Sequence, residues 1–166
     1  MRQTIEQASV RPSLSRKTPG LVQRRTQASA VPPRLLVVDD SADRRDLLAQ
    51  LLELHGFDAC MASSLEVALV AARRFRPAAV LLDIHGLPGE AMGAAHMLRD
   101  QGGLQDAFIV AVTTFAGAWD LGTAREAGFD AVLAKPLLLE ELLAHLRGAG
   151  IAAPQPEMPR PAATRS

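Results

Sequence analysis

Cysteine is almost missing from this chain: Cys60 stands alone among 166 residues. A single thiol excludes an internal disulfide framework and a cysteine-built zinc site. Long hydrophobic runs are missing too. The longest, such as residues 78–82, fall far short of the roughly 20 apolar residues that a membrane-spanning helix needs, so no membrane span is expected. The N-terminus carries no apolar signal-peptide core, which argues against secretion and for a cytoplasmic protein. Lysine is scarce, with only Lys17 and Lys135 among 18 basic side chains. Net charge is lacking as well, 18 Lys and Arg balancing 18 Asp and Glu. Taken whole, that neutrality predicts no preference for nucleic acid or membrane.

Divided along the chain, the charge says something else. Residues 1–34 hold Arg2, Arg11, Arg16, Lys17, Arg24, Arg25 and Arg34 against the single acid Glu6, whereas residues 35–150 hold nine basic and sixteen acidic groups. A basic arm therefore precedes an acidic domain. Residues 1–33 show no sustained apolar period and end in Val31-Pro32-Pro33. Such a segment cannot bury enough apolar surface to offset its ordering entropy, and is expected to be a disordered basic arm. Three readings of it stay open: a tail without specific function, electrostatic attachment to an acidic partner or surface, and a mitochondrial-type presequence. Residues 149–166, with Pro154, Pro156, Pro159 and Pro161, are expected to form a disordered Pro-rich tail.

Between the tails, residues 34–148 alternate in kind. The runs at 35–38, 79–82 and 108–112 are continuously apolar, as strands covered on both faces would be, and 58–61 and 130–134 read as weaker strands. Helical spacing follows each: 43–55 with Leu47, Leu48, Leu51 and Leu52 on one face, a helix capped by Ser64 and running to about 75, then 92–99, a weak helix at 119–127, and 138–147. Strict alternation with short loops implies right-handed crossovers. The expected fold is α/β, a flavodoxin-like doubly wound (βα)5 parallel five-stranded sheet with helices on both faces and the purest apolar strands at its centre.

In such a sheet the functional groups sit just past the carboxyl ends of the strands. Those positions are Asp39 and Asp40 after the first strand, Asp83 ending the third, Thr113 ending the fourth, and Lys135-Pro136 after the fifth. Three carboxylates on one rim repel: at about 4 Å and an effective dielectric near 20, each pair costs roughly 4 kcal/mol. A hard divalent cation such as Mg²⁺ is the natural counter-charge, and Lys135 supplies a compact second one.

Asp39-Asp40 after LLVV, Asp83 in LLDI, Thr113 in VAVTT and Lys135-Pro136 after GFDAVLA, separated by 43 residues from Asp40 to Asp83, 30 to Thr113 and 22 to Lys135, closely resemble the response-regulator receiver domain of two-component signalling. The resemblance covers about residues 34–148. It implies a phosphoprotein in which Asp83 is the phosphoacceptor, attacking the phosphohistidine of a sensor histidine kinase or phosphotransfer protein. Asp39, Asp40 and Asp83 would hold Mg²⁺ together with the backbone carbonyl of His85, Lys135 would stabilise the phosphoryl charge, and the Thr113 hydroxyl would swing to the phosphoryl group. It implies a regulatory domain rather than an enzyme. With no room in either tail for a DNA-binding domain, a stand-alone receiver is expected, speaking to a downstream protein target by contact or onward phosphorelay, with a weak homodimer allowed.

Several residues depart from the family pattern. Val132 stands where an aromatic residue is usual, three before the lysine, so either the switch is weaker or another side chain such as Phe115 or Trp119 carries it. Thr114 stands where a small residue is usual, Pro88 comes five residues after Asp83 rather than four, and Ala91 replaces a common glycine, with Gly93 two residues on. These departures keep an alternative open, a phosphorylation-independent interaction module on a receiver fold. Other chemistries fit less well. An aspartyl phosphatase needs its nucleophile after the first strand with a second Asp two residues on, and nucleotide binding needs a Gly-rich first turn; Asp39-Asp40-Ser41-Ala42 has neither. His55, His96 and His145 read as ordinary helix residues, and Cys60 as a small buried hydrophobe.

Overall fold

The computed structural model describes residues 31–154. Five strands, β1 (Arg34–Val38), β2 (Asp58–Ala62), β3 (Ala79–Ile84), β4 (Phe108–Thr113) and β5 (Ala131–Ala134), form one parallel sheet in the order β2-β1-β3-β4-β5. The helices are α1 (Ala42–Leu54), α2 (Leu65–Phe75), the single turn α3 (Pro88–Ala91), α4 (Ala94–Asp100), α5 (Leu121–Glu126) and α6 (Leu139–Gly148). The expected doubly wound α/β fold is the observed one. Its central strands β1, β3 and β4 are the three continuous apolar runs, buried on both faces, while β2 and β5 lie at the edges.

Alternate strand residues face two separate cores, as the two-residue period of a strand requires. Leu36, Val38, Val80, Leu82, Ile109 and Ala111 meet Ala68 and Ala72 of α2, Ala95 and Leu98 of α4 and Ala124 of α5. Leu35, Val37, Leu81, Val110, Val112 and Leu133 meet Leu52 of α1 and Leu142, Leu143 and Leu146 of α6. Alanines dominate the first set of helix faces.

Helix starts follow side-chain caps. Ser41 Oγ accepts from the Arg44 N–H at 3.4 Å, Ser64 Oγ from the Val67 N–H at 3.4 Å, and Asp120 Oδ1 from the Thr123 N–H at 2.7 Å. The Asp120 cap corrects the expected helix at 119–127. Trp119 is extended, a 3₁₀ turn occupies Ala116–Ala118, and α5 begins only after the cap. The helix expected at 92–99 is also divided. Pro88 opens the one-turn α3, Met92 turns extended, and Gly93 at φ 104° adopts a left-handed conformation open to glycine before α4 starts.

Past α6 the chain stays on the body: the Ile151 N–H donates to Leu146 O at 2.8 Å, and Ile151 and Ala153 pack against the α1–α6 core. The basic arm through residue 30 and the tail from 155 lie outside the described residues. No helix among the described residues is long and apolar enough to cross a membrane.

Candidate functional site

The strand order places β1 beside β3, with β1 continuing to one side of the sheet through α1 and β3 to the other. Two crossovers leaving in opposite directions open a crevice beyond the carboxyl ends of this pair, and side chains there converge. Asp39 and Asp40 follow β1. Asp83 is the fifth residue of β3, paired in register with Val112 of β4. Lys135 follows β5, its N–H held by Thr113 O at 3.0 Å.

Asp83 is the most enclosed of the three site acids, its side chain 5% exposed against 12% for Asp39 and 68% for Asp40. Lys135 Nζ forms an ion pair with its Oδ1. Its Oδ2 faces Arg44 Nη2 at 3.2 Å and His85 Nε2 at 3.3 Å. His85 Nε2 also lies 3.5 Å from Asp40 Oδ2. Asp39 is tied more tightly: its Oδ1 accepts from the Ser41 N–H at 2.8 Å, and its two oxygens accept the Arg44 fork at 2.8 and 2.9 Å. Burial pushes the Asp39 carboxyl up, but the hydrogen bonds from Arg44 and the Ser41 N–H, with the charges of Arg44 and Lys135, outweigh it and hold the group below its ordinary value. Bonding to Asp39 first, and then the nearby charges of Asp39, Asp83 and Asp40, pushes Arg44 upward, so it stays a cation.

The residues present fit a cation. Asp40, Asp83 and His85 each offer a ligand atom, all within 4.8 Å of one another. Three carboxylates on two adjacent strand ends share one positive nitrogen, that of Arg44, so the crevice is built for positive charge whatever supplies it. A cavity of about 370 Å³ opens beside it between Asp40, Ser63, Ser64, Asp83 and His85. A second, of about 560 Å³, runs from Asp39, Arg44 and Lys135 into the apolar gap between α1 and α6.

The sequence-based set is thus gathered in part. Asp39, Asp40, Asp83 and Lys135 meet in one cluster. Thr113 is engaged with its own loop: its side chain is fully buried and its Oγ1 accepts from the Phe115 N–H at 3.1 Å. His85 reaches the cluster with its imidazole, where only its carbonyl was expected. Arg44 was missed. Its signal was present, an arginine four residues after Asp40 in the first turn of a helix capped by Ser41, since helical side chains lean back toward the N-terminus and hence over the acids. Of the two aromatics offered as alternative carriers of the switch, Trp119 packs edge-on against Phe129 at 5.6 Å, whereas Phe115 is 48% exposed. His55 and His96 bond backbone carbonyls, Leu51 O and Glu126 O, each at 2.8 Å.

Comparison with known proteins gives one family. The model of the response regulator receiver domain matches residues 35–147. A DNA-binding response regulator MtrA of Mycobacterium tuberculosis is 36% identical over 115 residues, which is 69% of this chain and 49% of that protein. The chain thus spans about half the length of the curated relatives it matches. Among solved structures, a Burkholderia pseudomallei response regulator with a phosphorylated aspartic acid and a calcium ion is 28% identical, covering 71% of this chain and 69% of that one at a TM-score of 0.55. The receiver domain of a Pseudomonas aeruginosa sensor histidine kinase, with magnesium in its active site cleft, is 25% identical, covering 72% of this chain and 98% of that one at a TM-score of 0.58.

Proposed function

The chain belongs to the response-regulator receiver family, and from that premise we propose that it is a phosphoaspartate switch with Asp83 as its phosphoacceptor. The observation that carries this reading is the setting of Asp83: nearly enclosed, held by Lys135 through one oxygen, with the other turned to the cluster of Asp40, His85 and Arg44. A carboxylate so placed can act as the nucleophile. One of its oxygens forms the new bond to phosphorus while the P–N bond to the donor imidazole of a histidine kinase or phosphotransfer protein breaks, and the leaving imidazole keeps the electron pair. Lys135 lies against the phosphoryl oxygens as charge shifts onto them. Mg²⁺, when bound, supplies Lewis-acid stabilisation of that charge; Asp39, Asp40 and Asp83 with His85 would hold it. The phosphorylated state passes its signal by protein contact or onward relay. For that, the Thr113 hydroxyl must give up its bond to the Phe115 N–H and turn to the phosphoryl group, drawing the 113–116 segment with it.

The alternative, a phosphorylation-independent interaction module, draws support from Val132: a half-buried valine cannot make the ring rotation that would couple Thr113 to the outer face. Intact mass spectrometry after incubation with Mg²⁺ and acetyl phosphate or a phosphorylated kinase separates the two. One added phosphoryl group, lost in Asp83→Asn, is expected; no gain with any donor would overturn the switch in favour of the module.

A further inference from the structure

Three carboxylates that must accept a divalent ion are already bridged. Arg44 Nη2 lies 2.8 Å from Asp39 Oδ1, 3.1 Å from Asp40 Oδ1 and 3.2 Å from Asp83 Oδ2, so one nitrogen takes one oxygen from each acid. Arg44 Nε adds a bond to Asp39 Oδ2 at 2.9 Å, completing a planar fork on that residue. Asp40, Asp83 and His85 are the described residues whose ligand atoms, within 4.8 Å of one another, could share one ion, and an Mg²⁺ there would sit about 2.0–2.1 Å from its oxygen ligands. Arg44 Nη2 already takes an oxygen from two of the three, Asp40 and Asp83, so nitrogen and ion compete for the same carboxylates.

We infer that Arg44 is a built-in occupant of the cation position, which a divalent ion displaces in order to bind; the inference rests on the reading of this site as a divalent-cation site. The fold supplies the means. Ser41 starts α1 so that Arg44 is its third residue, and the side chain leans back over Asp39 and Asp40 from the first turn. The cap uses only the Arg44 backbone, so it survives any change of the side chain. The side chain is 52% exposed and has a clear path to solvent when displaced. Arg45 is committed elsewhere, donating to the Asp39 carbonyl at 2.5 Å, and Lys135 holds the opposite oxygen of Asp83, so neither replaces Arg44. Metal-free protein is then kept from mutual repulsion of its acids, and divalent affinity is reduced by the fraction of molecules with the arginine docked. Loading of the site becomes conditional on free divalent concentration over a higher range than the acids alone would set.

Titration calorimetry with MgCl₂ on the wild type, Arg44→Ala and Arg44→Gln tests this, with thermal unfolding in EDTA and in saturating Mg²⁺ alongside. The expected result is Mg²⁺ binding about tenfold or more tighter in both variants, as loss of a charge-assisted competitor predicts. Both should also melt below the wild type in EDTA, with the gap closing in saturating Mg²⁺. Binding by the variants and none by the wild type would support the inference further. Equal or weaker binding in the variants, or a melting deficit indifferent to Mg²⁺, would overturn it while leaving the divalent site intact. Absence of binding in all three proteins would instead refute the divalent reading, and this inference with it.

Discussion

Lys135 and Asp83 offer the sharpest energetic test of the site. Their side chains are 20% and 5% exposed, and among the described residues Lys135 is the partner of Asp83 Oδ1. Two opposite charges at about 4 Å attract by roughly 4 kcal/mol at an effective dielectric near 20, before desolvation is subtracted. Removing one partner of a buried pair costs about 3–5 kcal/mol, because the other is left uncompensated. Here the penalty should be smaller, since Asp83 Oδ2 keeps Arg44 at 3.2 Å and His85 at 3.3 Å. Lys135→Ala is therefore expected to cost about 2–3 kcal/mol in metal-free protein. Asp83→Asn acts differently. It gives up the Lys135 attraction but also relieves repulsion from Asp39 and Asp40, so its cost should stay within about 1 kcal/mol. In the Asp83→Asn background, Lys135→Ala should then cost under about 1 kcal/mol, a coupling of roughly 2 kcal/mol. Urea unfolding in EDTA reads this directly: at a slope of about 1–3 kcal/mol per molar, the Lys135→Ala midpoint should fall by about 1 M. Additive single-variant costs would refute the reasoning, for they would mean that solvent or another group already satisfies Asp83.

Arg99 should matter to the fold as much as Lys135 does to the site. Its guanidinium donates to Gly128 O at 2.9 and 3.1 Å, to Gln105 O and Ala107 O at 3.0 Å, and to Asp130 Oδ2 at 2.8 Å, stitching α4 to the segments entering β4 and β5. Arg99→Ala should cost about 2–4 kcal/mol in urea unfolding, and Arg99→Lys should recover little, since an ammonium cannot span that fork; a cost under about 0.5 kcal/mol would show that water replaces these bonds. Acid should weaken the protein through its capping carboxylates. Hydrogen bonds from the Thr123 backbone and hydroxyl hold Asp120 below its ordinary value, and a bond from the Ser64 hydroxyl does the same for Glu66. A carboxylate depressed in the folded state contributes stability that is complete above its unfolded value near 4 and lost as pH falls through the folded value. The urea midpoint should thus hold level from pH 7 to about 5 and drop below about 4, with a shallower drop in Asp120→Asn; a midpoint that rises toward pH 3 would contradict this.

The fold was legible because its signals are local. Apolar runs at 35–38, 79–82 and 108–112 needed no distant partner to announce buried strands. Errors fell where a local signal was weak or competed with another. Asp120 held an N-cap the apolar pattern did not weigh, and Gly93 interrupted a stretch that otherwise scans as helix.

The site divides along the same line. The placing of the purest apolar strands at the centre, and the positions of Asp39, Asp40, Asp83, Thr113 and Lys135 at strand ends, follow from alternation and spacing, because a parallel sheet delivers the ends of all its strands to one rim. Which side chain faces which does not follow, because contacts such as Arg44 to Asp83, 39 residues apart, depend on the pairing of β1, from which α1 follows, with β3. The amino-acid sequence by itself determined that this protein gathers acids and a lysine on the rim of a doubly wound sheet. Only the tertiary structure decided that the imidazole of His85 and the guanidinium of Arg44 turn into the acids while the Thr113 hydroxyl accepts from the Phe115 N–H. Backbone periodicity is written residue by residue, whereas the direction of a long charged side chain is settled by the charges that the finished fold brings within its reach.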